Sequence, residues 1–222
     1  MPELLDPAAA YELWAPTYSA AAHNPLMLAE QAIVERIVAS CRAGRALDVG
    51  TGSGRYVPIL AGSARSVVGV DRSMSMLQQG AARTRLRADA CSLPFVDGAF
   101  GLVNASLMAG DVRDLDGWIH EMARVLSPDG HLVYSDFHPS WTALGWQRTF
   151  KDVQGVQRAI RFEPHTIEGH LSALRAAGLA VLAIREPRLT VRGVSRRVLA
   201  IFHAVKPRIA RKELERLAGR PG

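Results

Sequence analysis

From residue 45 onward the chain alternates short apolar runs with longer amphipathic stretches. "RALDVG" (45–50), "SVVGVD" (66–71), "LRADAC" (86–91), "AFGLVNAS" (99–106) and "GHLVYSDF" (130–137) are bounded by Gly, Pro or Asp. Each is apolar enough to be a strand buried on both faces, as in a parallel sheet. The segment between the first two runs is just long enough for a crossover helix. In "DLDGWIHEMARVLSPDG", Trp118, Ile119, Met122, Val125 and Leu126 recur at helical spacing, and Pro128 with Gly130 mark the stop. "EPHTIEGHLSALRAAG" predicts another helix, opened by Pro164 and Thr166 and closed by Gly178. The two runs after it, "LAVLAIREPRL" and "RVLAIFHAVK", are joined by "TVRGVSR", too short for a parallel crossover, so they are predicted to pair antiparallel. The pattern is that of an α/β protein with a doubly wound, Rossmann-like, mostly parallel sheet that ends in an antiparallel hairpin.

Two regions break the rhythm. Residues 138–162 carry two tryptophans and a turn signal at Gly155 between a strand and its next helix, and read as an insertion over the active face. The first 40 residues predict a helix from about Leu26 to Ser40 behind an aromatic and proline-rich lead, together a helical flap. Nothing divides the remainder, so residues 1–222 are read as a single domain. At 48% apolar and 22% charged residues the composition is that of an ordinary globular protein. No apolar run approaches the roughly 20 residues that cross a bilayer, and the N-terminus lacks the basic and apolar pattern of a signal peptide; the expected compartment is the cytoplasm, with no membrane partner. Cys41 and Cys91 form no CxxC and are expected to be reduced. The net charge of +6 is concentrated in residues 185–222, where eleven Lys or Arg face three acids. That region is read as a solvated tail, with a phosphate-reading patch as the alternative.

Candidate chemistry begins at "ALDVGTGSG". Gly50, Gly52 and Gly54 lie where a strand gives way to a helix, the place at which a doubly wound sheet lets a ligand approach the backbone. A dinucleotide loop would need glycine at position 55, which is Arg55. Asp48 would also repel a pyrophosphate by an energy on the order of several kcal/mol at intermediate dielectric, and would attract an ammonium or sulfonium. Asp71 closes the second strand, where a carboxylate can accept from ribose hydroxyls. Asp89 ends the third and can meet an adenine amine. A nucleoside, an ammonium and a positive sulfur together describe S-adenosylmethionine. Each acid has a structural alternative, as a turn or helix cap, and Met76 can be core.

"ALDVGTGSG", "VVGVDRSMSMLQQ", "RADACSLPFVDGAFGLV" and "EMARVLSPDGHLVYSDF", in this order and spacing, resemble the class I S-adenosylmethionine-dependent methyltransferases. The likeness is strongest to the small-molecule branch similar to the ubiquinone and menaquinone biosynthesis enzymes. It covers residues 11–137 well and the final hairpin more loosely. It implies a seven-stranded sheet, with Asp48 and the glycine loop at the methionine part, Asp71 on the ribose, Met76 against the adenine, and Asp89 with Ala90 at the adenine edge. Tyr18, Thr51, Arg72 and Asn104 complete the expected cofactor-binding set. The resemblance also places Met108 and Asp111 at the acceptor. Gly101 stands where similar proteins often carry aspartate.

Methyl transfer from a sulfonium is an in-line displacement, so positioning and exclusion of water are its main demands. For a phenol, enol or protonated ring nitrogen a base near neutral pKa helps, and His138 and His165 are the candidates, with capping or packing as the alternative for each. His23 is expected to reach the acceptor from the N-terminal flap. His120 and His203 read as structural, and "HEMAR" lacks the second histidine of a zinc helix, so no metal is expected. Tyr11, Trp14, Tyr18, Trp141, Trp146 and Phe150 offer flat apolar surface suited to an aromatic or heteroaromatic acceptor, or pack the flaps. The leading expectation is a small-molecule O-, N- or C-methyltransferase acting as a monomer or homodimer, with nucleic acid not its partner. Its rivals are an RNA methyltransferase that uses the basic C-terminal region and a non-catalytic cofactor-binding module.

Overall fold

A computed structural model describes residues 2–80, 83–191 and 193–208. Residues 209–222, which hold part of the basic C-terminal region, lie outside the described residues. The N-terminal lead folds into β1 (Glu3–Leu5) and α1 (Pro7–Trp14), followed by α2 (Pro25–Ser40). Then come β2 (Ala43–Val49), α3 (Val57–Ala61), β3 (Ala64–Asp71), α4 (Met74–Gln79), β4 (Thr84–Arg87) and β5 (Phe100–Ala105). The chain continues through α5 (Leu115–Val125), β6 (Leu126–Phe137), β7 (Arg148–Lys151), β8 (Gln157–Ile160) and α6 (Ile167–Ala176). It closes with β9 (Ala180–Arg185), β10 (Arg188–Val191), β11 (Val194–Arg197) and β12 (Leu199–Val205).

Seven strands form the central sheet in the order β4-β3-β2-β5-β6-β12-β9. All pair parallel except β12, which runs antiparallel between β6 and β9. The order reverses between β2 and β5, so the loops leaving those two strands face one crevice at their carboxyl ends. One face of the sheet packs on α5 through Trp118, Ile119 and Met122, all fully buried. The other packs on α2, whose Val34 and Val38 meet Leu102, Val133 and Ile201. Each such large side chain contributes about 1.5–3 kcal/mol by leaving water. Helix starts follow from local chemistry: Asn24 accepts from the Met27 N–H at 2.9 Å ahead of Pro25, Asp114 from Gly117 at 2.9 Å, and Thr166 from Gly169 at 3.0 Å.

The structure corrects several boundaries. The third apolar run is a short edge strand whose four residues are exposed. It ends before Asp89, which instead makes a tight turn with Ser92. α5 stops at Val125, ahead of Pro128 and Gly130, which lie inside β6. The Lys206 ammonium donates to the carbonyls of Ala123 and Leu126 at 2.8 Å each, satisfying the last turn of the helix and ending it there. β10 and β11 form a ribbon turning at Gly193 (φ +76°) within the expected hairpin connection.

The insertion and the N-terminal lead are one structure. β7 and β8 pair antiparallel on either side of Gly155, and β1 adds parallel to β8. Trp14 of α1 stacks on Phe150 with centroids 4.9 Å apart, over the buried Ala10 and Ile160. A flap is thus built from segments some 140 residues apart, because neither could bury its aromatics alone.

Candidate cofactor and acceptor site

The loop between β2 and α3 takes a path that side chains oppose. Gly50 and Gly52 have φ of +67° and +52°. A Cβ on Gly50 would lie 2.6 Å from Met108 Sδ, and one on Gly52 2.9 Å from Met76 Cε. Both positions therefore require glycine. Below the loop, Asp48 is buried and accepts from Thr51 Oγ1 and Asn104 Nδ2, each at 2.8 Å. Burial pushes its carboxyl up to about 6, against the downward pull of those two hydrogen bonds. Asp71, at the end of β3, accepts from the Gly52 N–H and the Ser73 N–H at 2.8 Å each, so it clamps the loop to the start of α4. Burial raises its pKa as well.

A cavity of about 970 Å³ opens over this loop, at the upper end of the range for small-molecule sites. It brings together Tyr18, Asp48, Gly50, Thr51, Gly52, Asp71, Arg72, Met76, Asp89 and Ala90 from the expected cofactor set. It also gathers His23, Met108, Asp111, Trp141 and Trp146 from the expected acceptor set. Gly54 and Asn104 are not in its lining. Gly54 closes the loop turn through its N–H to the Thr51 carbonyl at 2.8 Å, and Asn104 stands behind Asp48 as its donor.

Neither histidine expected to serve as a base is in the lining. His138 directs Nε2 to Glu186 Oε1 and Nδ1 to Ser140 Oγ, both at 2.8 Å, and so ties the end of β6 to the link between β9 and β10. His165 Nε2 contacts the Val112 carbonyl at 2.8 Å. Both ring nitrogens of His138, and Nε2 of His165, are thus engaged by neighbouring elements. His23 does reach the cavity, with Nδ1 3.2 Å from the Ala21 carbonyl.

Sequence reasoning missed a buried polar cluster on the acceptor side. The Tyr11 hydroxyl donates to Asp111 Oδ2 at 3.1 Å, and the Arg148 guanidinium forms an ion pair with Asp111 Oδ1. Burial pulls the Arg148 pKa down, but the Asp111 carboxylate more than restores it, so the guanidinium stays charged. Tyr11 is raised well above its ordinary value, chiefly by burial. Residues 11, 111 and 148 share no motif, so only an orphan arginine among the insertion's aromatics hinted at this. A second cluster centres on Glu30, which is fully buried in α2, pairs with Arg55 at 2.8 Å and accepts from Ser135 Oγ. Its signal was present: Met27, Glu30, Val34 and Val38 share the buried face of α2, and an acid at such a position needs a partner. A third pairs His170 of α6 with Asp136, near the carboxyl end of β6, at 3.3 Å.

The residues present fit a polar nucleoside ligand with a cationic end. The glycine cradle leaves no room for side chains, Asp48 and Asp71 supply negative charge beside it, and Ser53 Oγ, Arg55 Nη1 and Arg148 Nε are buried without a protein partner. Buried polar atoms in that condition are expected to meet a ligand or water.

The family described as "Methyltransferase domain" matches residues 47–134. The demethylmenaquinone methyltransferase of Mycobacterium sp. (strain KMS) is 30% identical over 175 residues, covering 73% of this chain and 76% of that protein. That of Mycolicibacterium vanbaalenii is 40% identical over 95 residues, a stretch that spans only 42% of either protein. Among solved structures, an S-adenosylmethionine-dependent methyltransferase from Mesorhizobium loti superposes with a TM-score of 0.66 at 23% identity, over 81% of this chain and 99% of that one. This last likeness establishes the shared fold.

Proposed function

We propose, for a chain that belongs to the class I S-adenosylmethionine-dependent methyltransferases, that it methylates an O, N or C atom of a small aromatic or heteroaromatic metabolite. The observation that carries this reading is the acceptor wall: Tyr18, Trp141, Trp146 and the Tyr11–Asp111–Arg148 cluster face the glycine cradle across one cavity. The names of the mycobacterial relatives, which act on a demethylated menaquinone, support a ring-bearing acceptor of this kind.

Bound S-adenosylmethionine supplies an electrophilic methyl group on a positive sulfur. The chain's own residues do the rest. The glycine loop and Asp48 hold the amino-acid end, Asp71 takes the ribose, and Met76 with Asp89 and Ala90 border the adenine. Asp48 in its ionised form favours positive charge close by. Arg148, which lines the cavity and stays charged beside Asp111, favours an acceptor in its enolate or phenolate form over the neutral one. The flap excludes water, so alignment carries most of the rate. No histidine base at 138 or 165 enters this scheme; His23 is the histidine within reach.

The described part of the basic C-terminal region supports a small acceptor rather than RNA. Lys206 caps α5, Arg208 pairs with Asp129 at 2.8 Å, and Arg188 donates to Ser195. Lys206 is spent within the fold, and the exposed Arg188 and Arg208 each already have a partner on this chain. The test is incubation with methyl-labelled S-adenosylmethionine and a panel of hydroxyquinols, phenols and azaheterocycles, beside bulk RNA over a salt series. Label in the small-molecule fraction is expected. Label in RNA with a steep salt dependence, or cofactor binding with no transfer to any acceptor, overturns the reading.

A further inference from the structure

We infer that Cys41, His131 and His203 form a binding site for a soft transition-metal cation of the zinc type, on the side of the sheet where α2 packs. This is independent of methyl transfer. Among the described residues, these three present one ligand atom each, all within 4.8 Å of one another.

The placement follows from register. β6 and β12 pair antiparallel with His131 opposite Val205 and His203 opposite Val133, so the two histidines are diagonal neighbours on one face. That face is the one occupied by Val133 and Ile201, against which Cys41 packs directly after α2. The rings are already in contact, with His131 Nδ1 3.0 Å from His203 Nε2. A tetrahedral zinc site, with Zn–N near 2.0–2.1 Å and Zn–S near 2.3 Å, needs about 3.3 Å between ring nitrogens and about 3.6 Å between nitrogen and sulfur. A movement of a few tenths of an ångström between the ring nitrogens, and one of up to about 1.2 Å at the buried thiol, satisfies it. Three protein ligands leave a fourth position for water.

The donors are two imidazoles and a thiol, ligand types that zinc takes; the Cys41 thiol contacts the Ile37 carbonyl at 3.4 Å. On binding, the metal takes the sulfur lone pair and the thiol proton leaves to solvent, one proton per metal; the cation's own charge offsets the cost of a buried thiolate. No local spacing announces such a site, since its ligands come from a helix end and two strands of which one crosses back from the far end of the chain.

Titration of Co²⁺ into metal-free protein in a Cys91→Ser background, where Cys41 is the one remaining thiol, tests it. Expected are a thiolate-to-cobalt charge-transfer band in the near ultraviolet that saturates at one equivalent, release of one proton, displacement by Zn²⁺, and a Tm raised by Zn²⁺. Cys41→Ser should abolish the band, and His203→Gln should lose saturable binding while circular dichroism stays that of the parent. Absence of a band at a hundredfold excess of Co²⁺, or a band that survives Cys41→Ser, overturns the assignment and leaves the two histidines as a hydrogen-bonded pair.

Discussion

The two walls of the cavity are built in opposite ways. The cofactor wall comes from residues 48–90, and its bonds are short in sequence: Thr51 reaches back to Asp48, and Gly52 reaches Asp71 nineteen residues on. Its shape is set by backbone, with glycines at positive φ and N–H groups held by carboxylates. The acceptor wall joins residues 11, 111 and 148, spanning 100 and 37 positions, and its shape is set by side chains and one buried ion pair. The first wall needs β2, β3 and α4, with Asn104 of the adjacent β5 holding Asp48 from behind. The second exists only when β1, β7 and β8 have closed over the sheet.

The sharpest way to break this comparison is Arg148→Met. It leaves Asp111 buried without its guanidinium, a loss of about 3–5 kcal/mol. It should loosen the flap while sparing the cofactor wall. Hydrogen exchange should rise in residues 2–17 and 148–160, with S-adenosylhomocysteine binding nearly retained; unchanged exchange in the flap would show that the ion pair is no clamp.

A slightly smaller effect belongs to pH. The folded-state pKa of Asp48, about 6, lies above its ordinary 3.8, so the fold favours the protonated form. Its contribution, about 3 kcal/mol for a shift of this size, is fully present below about pH 4 and is lost as pH rises through 6. Urea unfolding without ligand should therefore show the parent losing stability relative to Asp48→Asn between pH 4 and 7; parallel curves would refute it. Over the same range S-adenosylmethionine should bind more tightly as Asp48 ionises, and S-adenosylhomocysteine, lacking the sulfonium charge, should gain less.

Asp71→Ala removes charged hydrogen bonds and should weaken cofactor binding by roughly 1–3 kcal/mol. Because Asp71 also clamps Gly52 and Ser73, part of that loss should appear as a mobile loop; unchanged affinity by calorimetry rejects its role. The smallest effect is expected at His138→Gln, which should not show the ~10²–10⁴-fold rate loss of a missing general base. A loss of that size with intact stability would return the base to the end of β6.

The cofactor wall was legible in the sequence because a turn of backbone leaves a local mark. Gly50, Gly52, Asp48 and Asp71 stand within one strand–loop–strand unit, and their residue types are forced by φ, by close approach and by charge. Asp48, Asp71 and Asp89 were read as three equivalent strand ends, yet β4 ends short of Asp89, since an edge strand with four exposed residues has little to hold it longer. His138 and His165 were placed near the site by chain position alone, and position along a strand does not say where a ring turns.

What the sequence by itself determined is the alternation of strands and helices, the glycine loop between a strand and a helix, and the antiparallel return of β12, since periodicity and connection length act locally. What only the tertiary structure decided is which polar groups meet: Glu30 with Arg55 and Ser135, Tyr11 with Asp111 and Arg148, His131 with His203 and Cys41. A buried charge or ring nitrogen must find a partner, but nothing in the order of residues says which one, because the pairing is settled by packing among segments 25 to 105 residues apart.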